Sequence, residues 1–148
     1  MTATVVKARA LNILGIGNDL CDVARMAGLI QRYGPRLLDQ TFTRAEQDLA
    51  RRQPDQPLFY AGRFAAKEAF VKALGTGIAE RMSWTDVEVL ASPEGLPVAT
   101  ISGEALVQLK HLAEREGDAT VHLSITHDAR FAAAFVILEA CRPPGRAP

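Results

Sequence analysis

Cysteine is scarce in this chain and poorly placed for chemistry. Cys21 and Cys141 are the only two, far apart and in no metal-ligand spacing, so they read as reduced thiols of a cytosolic, cytoplasmic protein. Histidine is as thin: His111, His122 and His127 stand without a cluster around them, which argues against zinc. Net charge is missing altogether, since 17 basic residues balance 17 acidic ones. That balance argues against nucleic-acid binding and leaves room for a local basic patch facing an acidic partner. Long hydrophobic runs are absent too. The apolar start of LNILGIG is soon broken by glycines, so neither a membrane span nor a secretory signal is expected. There is no G-x-S-x-G elbow, no Walker loop and no internal repeat. The glycines of GIGND lack the third glycine of a dinucleotide fingerprint and the βαβ unit that should follow.

What is there suits one globular domain. The 148 residues are 48% hydrophobic and 23% charged, ordinary values for a soluble protein. We expect a domain over 11–140, with 1–10 and the proline-rich 141–148 as flexible termini. LNILGIGNDLC reads as a strand whose glycines let something approach its backbone closely, with Asp19 near its end. DVARMAGLIQRYG has helical spacing, Asp22 as N-cap and Gly34-Pro35 as stop. TRAE, Thr43 to Glu46, is a capping box opening a short helix to about Arg52. A long helix, Leu58 to Leu74, closes on Gly75. DVEVLA and VATIS form a hairpin around PEGLP, EALVQLKHLAER an amphipathic helix, and ATVHLSITH and FAAAFVILEA two final strands. The order predicts an α+β fold with a mostly antiparallel sheet packed with helices.

The long helix contains the puzzle. At about 100° per residue, Arg63 and Lys67 share a side with Phe70 and Leu74, while Glu68 and Lys72 point together to another face. Glu68 and Lys72 could be a simple i,i+4 surface pair. Crowded by apolar neighbours, however, these charges would need partners: a hard divalent cation for Glu68, a phosphate for Lys72, Arg63 or Lys67. Asp19 could cap a turn or belong to a site. His127 leans to the apolar side of its strand, where it is either a structural histidine or a ligand contact. Gly75 to Gly77 could lend amides to an anion, though a C-cap explains Gly75 as well.

GIGNDLCDVAR, FTRAE, AGRFAAKEAFVKALGTGI and LSITHD, in that order and spacing from Ile13 to Glu139, resemble the holo-[acyl-carrier-protein] synthase family of 4′-phosphopantetheinyl transferases. The resemblance implies that family's fold and transfer of 4′-phosphopantetheine from coenzyme A to a serine of apo acyl carrier protein, for fatty acid biosynthesis, releasing adenosine 3′,5′-bisphosphate. It also implies Mg²⁺ and a homotrimer with active sites between neighbouring subunits. Carried over by position, Asp19 and Glu68 match the metal-binding carboxylates and Lys72 the lysine near the pyrophosphate, the three together forming the catalytic set. Arg63, Gly75 and His127 match positions near the coenzyme A nucleotide or its phosphates. Arg25 matches a basic position that holds the acidic carrier protein. The family often has Glu where Asp22 stands, so Asp22 either makes a contact outside the metal site or caps the helix.

Attack of a serine hydroxyl on a pyrophosphate builds negative charge, which Mg²⁺ and a lysine can stabilise. Two carboxylates suffice, because Mg²⁺ fills its shell with phosphate oxygens and water. The serine proton could pass to Glu68 or to a metal-bound water. Two other classes remain at this level: a non-catalytic coenzyme A binding module, and a structural interaction protein. The acceptor could also be a carrier of a polyketide or peptide pathway.

Overall fold

A computed structural model describes residues 12–77, 82–114 and 118–141. Of the segments expected to be flexible, all of 1–10 and all but the first residue of 141–148 lie outside these residues. In chain order the elements are β1 (Asn12–Asp22), α1 (Val23–Tyr33), α2 (Pro35–Thr41), α3 (Arg44–Ala50), α4 (Gln56–Leu74), β2 (Val87–Ala91), β3 (Pro97–Ile101), α5 (Gly103–Ala113), β4 (Asp118–His127) and β5 (Phe131–Cys141), with a 3-10 turn at Trp84–Asp86. The fold is α+β with every strand pair antiparallel: a three-stranded sheet in the order β1-β5-β4, and a separate β2-β3 hairpin. β5 runs through Cys141, one residue into the segment expected to fray.

Alternation builds the sheet. Ala132, Ala134, Val136 and Leu138 of β5 are buried against α4, while Phe135 and Ile137 face outward, as period-two side chains must. Asp128 Oδ1 closes the β4-β5 turn by accepting the backbone N–H groups of Arg130 and Phe131, each at 2.7 Å. Among the described residues no helix is long and apolar enough to cross a membrane.

α4 crosses the inner face of this sheet at unusually short range. A Cβ on Gly17 would lie 2.6 Å from the Ala73 amide nitrogen and closer still to the Ala69 carbonyl oxygen; one on Gly15 would lie 2.9 Å from the Ala73 carbonyl carbon. The glycines of β1 therefore make room for the helix backbone itself. Ala69 and Ala73, one turn apart, supply the matching small surface. α4 opens with Asp55 accepting the Leu58 N–H at 3.0 Å and ends on Gly75 at φ 74, where a left-handed residue closes the last turn.

Two elements depart from the sequence reading. Gly34-Pro35 reads in sequence only as a helix stop. Gly34 does end α1, at φ 50, but Pro35 then starts α2 as its first residue, where its fixed φ and missing N–H are harmless. The 3-10 turn at Trp84–Asp86 is also additional to the sequence reading; Ser83 and Asp86 cap it reciprocally.

The fate of Lys67 answers half of the helix puzzle and corrects its expected phosphate role. Lys67 is fully buried, with Nζ 2.8 Å from Glu46 Oε2 and 3.0 Å from the Trp84 carbonyl. It also donates to the Val87 carbonyl. Glu46, equally buried, closes the capping box by accepting the Thr43 N–H at 2.8 Å and takes the Val89 N–H at 2.9 Å. Burial pushes the Lys67 ammonium below its ordinary range, and Glu46 draws it back up. Each charge thus has its counter-charge and hydrogen bonds inside the core, the condition for keeping it there.

Candidate active site

The close packing of β1 on α4 brings together residues some 50 positions apart. Just beyond Gly17, Asp19 points to the helix side of the strand, and Lys72 Nζ reaches Asp19 Oδ1 at 2.8 Å and the Asn18 carbonyl at 3.0 Å. Lys72 is about half exposed and Asp19 less than a fifth. The lysine has therefore turned to Asp19 rather than to Glu68, its i,i+4 neighbour on the helix. Asp19, Glu68, Lys72 and Arg25 line one cleft of about 270 Å³, with Cys21 and Phe64 in its wall.

The cleft sets two carboxylates, Asp19 and Glu68, against two cations, Lys72 and Arg25. Burial raises the Glu68 carboxyl above its usual range, and the charge of Asp19 raises it further, against the pull of Lys72. The hydrogen bond to Asp19 raises Lys72 in turn. Burial, then the nearby Asp19, pushes the Cys21 thiol up to about 11, which makes it a poor nucleophile. The two carboxylates, Asp19 and Glu68, offer hard, oxygen-only donors, which fit Mg²⁺. Among the described residues no three His, Cys, Asp or Glu side chains gather into a metal cage.

Arg63 and His127 are elsewhere. They line a second cleft, of about 370 Å³, with Phe59, Gly62 and Ile125. Arg63 stacks 4.2 Å over the Phe59 ring and donates from Nε to the Val89 carbonyl at 3.2 Å. His127 is exposed at the end of β4, on the face it shares with Leu123 and Ile125. Gly75 is a plain helix C-cap whose N–H bonds the Lys72 carbonyl at 3.1 Å, and it lines neither cleft. Asp22 caps α1, accepting the Arg25 N–H at 2.9 Å, so the cap reading of that residue holds.

A sequence profile of the 4′-phosphopantetheinyl transferase superfamily matches residues 15–136. The chain belongs to this superfamily. Among holo-[acyl-carrier-protein] synthases, it is 43% identical to that of Bartonella bacilliformis and 45% identical to that of Brucella ovis, in each case over 86% of this chain and 96% of the relative. Its fold is similar to the crystal structure of the Bacillus anthracis holo-(acyl-carrier-protein) synthase in complex with CoA (3′,5′-ADP). The TM-score is 0.70 at 34% identity, over 89% of this chain and 100% of that one. The Neisseria meningitidis synthase gives a TM-score of 0.73 at 29% identity, over 86% and 98%.

In this phosphopantetheinyl transferase, one structural residue escapes the sequence reading: Glu46. The TRAE pattern shows its capping role, but nothing local reveals that the same carboxylate neutralises Lys67, 21 residues on. The available signal is indirect: a lysine on the apolar side of a helix requires a buried acid somewhere. Cys21 reads in sequence as an ordinary thiol, and its place in the wall of the cleft follows from the alternation that also turns Asp19 inward.

Proposed function

We propose that this phosphopantetheinyl transferase acts as a holo-[acyl-carrier-protein] synthase, moving 4′-phosphopantetheine from coenzyme A to a serine of apo acyl carrier protein in the cytoplasm. The observation that carries the proposal is the shared cleft of Asp19, Glu68 and Lys72, a strand residue and two helix residues joined only by the fold.

In this reading Asp19 and Glu68 hold Mg²⁺, which when bound neutralises charge on the coenzyme's pyrophosphate. Lys72 leaves Asp19 to meet the phosphate oxygens that gain charge as the bond to the leaving nucleotide breaks. The serine proton passes to Glu68 or to a water beside it. Arg25, exposed on α1 at the rim, faces the acidic carrier. Arg63 and His127 contact the nucleotide end of the coenzyme, and Gly75 contributes through its backbone at the end of α4.

Arg63 and Glu68 leave α4 in directions about 140° apart, so one chain cannot easily present both to one coenzyme. A homotrimer that pairs the cation cleft of one subunit with the carboxylate cleft of the next resolves this. The outer face of the sheet supports it: Ile16 is 64% exposed, Leu20 61% and Phe135 53%, a patch suited to burial against another copy. The test is Mg²⁺-dependent transfer from coenzyme A to apo acyl carrier protein, read by intact mass. A holo product formed only with Mg²⁺ supports the proposal, and an unmodified carrier under all conditions overturns it.

A further inference from the structure

The buried Lys67–Glu46 pair does more than satisfy itself. β2 has β3 on one side only, and its other edge is hydrogen-bonded by three charged side chains in place of a strand. Lys67 Nζ donates to the Val87 carbonyl, Glu46 Oε1 accepts the Val89 N–H at 2.9 Å, and Arg63 Nε donates to the Val89 carbonyl at 3.2 Å. Val89 is thus gripped on both polar groups, by Glu46 through its N–H and by Arg63 through its C=O. Arg63 and Lys67 lie one turn apart on α4, and Glu46 projects from α3 between them and the strand. With Nε engaged and the guanidinium laid over Phe59, the terminal guanidinium nitrogens have no hydrogen-bond partner among the described residues. Arg63 is part of the wall of the cleft that also contains His127.

We propose that Glu46 and Lys67 are positioning residues for Arg63: they fix the edge of β2, and through the Val89 carbonyl they hold the arginine's free N–H groups ready for an anionic group of the coenzyme. This rests on the reading of Arg63 as a coenzyme contact. A buried ion pair can often be replaced by apolar side chains with no loss of stability. Its value here lies in the orientation it imposes, since an arginine fixed before binding loses less entropy on meeting its ligand.

The test is a mutant cycle read as coenzyme A affinity by calorimetry, with circular dichroism and oligomeric mass confirming the fold. Arg63→Met and the pair Glu46→Leu/Lys67→Met should each weaken coenzyme A by about tenfold, the size expected for a charge-assisted hydrogen bond. The triple variant should bind no more weakly than Arg63→Met, because the pair acts only through Arg63. Wild-type affinity in the pair variant, or losses that multiply in the triple, would overturn the proposal. Should Arg63→Met itself bind as wild type, the coenzyme role of Arg63 falls and the proposal with it, a result distinct from failure of the pair alone. If the apolar pair does not fold, Glu46→Asp keeps the charge and withdraws the carboxylate from Val89. It should weaken binding in the wild-type background and not in Arg63→Met, and an equal effect in both would overturn the proposal.

Discussion

Asp19 and Lys72 form an ion pair of 2.8 Å across the contact between β1 and α4. The contact that makes this possible contains no side chain on the strand side, because Gly15 and Gly17 lie directly against the carbonyls of Ala73 and Ala69. The position of the first carboxylate relative to the second is therefore set by backbone packing, with consequences for stability, catalysis and assembly.

Gly17→Ala should damage fold and activity together. The added methyl overlaps the Ala69 carbonyl, and backbone atoms on both sides cannot yield without moving the helix. The loss of stability should reach at least about 2 kcal/mol, in the range of core overpacking. Urea unfolding measures it, and a wild-type midpoint would contradict the packing account.

Lys72→Met should leave a folded oligomer that transfers phosphopantetheine about a hundredfold more slowly, or worse, as expected for removal of a charge-stabilising donor at the reacting phosphate. Steady-state kinetics with saturating coenzyme A check this. Near-normal turnover would confine Lys72 to a structural pair with Asp19.

Glu68 should make the metal-free protein weaker as pH rises. Its folded-state carboxyl is raised, by burial first and by Asp19 second, so between the unfolded value, about 4.3, and the raised folded value the native state binds more protons than the unfolded one. Stability then falls with rising pH across that window. Glu68→Gln lacks this slope. It should match wild type below about pH 4 and be the more stable protein at neutral pH without Mg²⁺, as urea midpoints at several pH values would show. A wild type that gains on Glu68→Gln as pH rises would reverse the sign and refute the electrostatic picture.

Mixing two impaired chains should raise activity at coenzyme A concentrations too low to saturate Arg63→Met. If neighbouring subunits share a site, oligomers co-assembled from Arg63→Met and Glu68→Gln chains contain some sites with both native residues. Transfer by co-expressed, purified mixtures should exceed that of either variant alone. No recovery in verified mixed oligomers would place Arg63 and Glu68 in the same subunit's site, or Arg63 outside it.

Much of this arrangement is legible in the amino-acid sequence. The β1 glycines announce a close approach, TRAE announces a helix start, and the alternation in LSITHD places His127 with Leu123 and Ile125; each is a local rule read over a few residues. What stays hidden depends on distant partners. The helical spacing sets Lys67 on the side of Phe70 and Leu74 and Lys72 on another face, and only the fold shows that the first meets Glu46 in the core while the second meets Asp19 at the surface. α2 escapes the sequence reading because Gly34-Pro35 carries two meanings, an end for one helix and a start for the next.

The central claim is that Asp19 and Glu68 hold one divalent ion between them. Binding of Mn²⁺ as a paramagnetic stand-in for Mg²⁺, followed by electron paramagnetic resonance in the presence of coenzyme A, tests it on wild type, Asp19→Asn and Glu68→Gln. The account predicts one site per chain in wild type and a marked loss of affinity in each variant separately. Undiminished Mn²⁺ binding in both variants would contradict it.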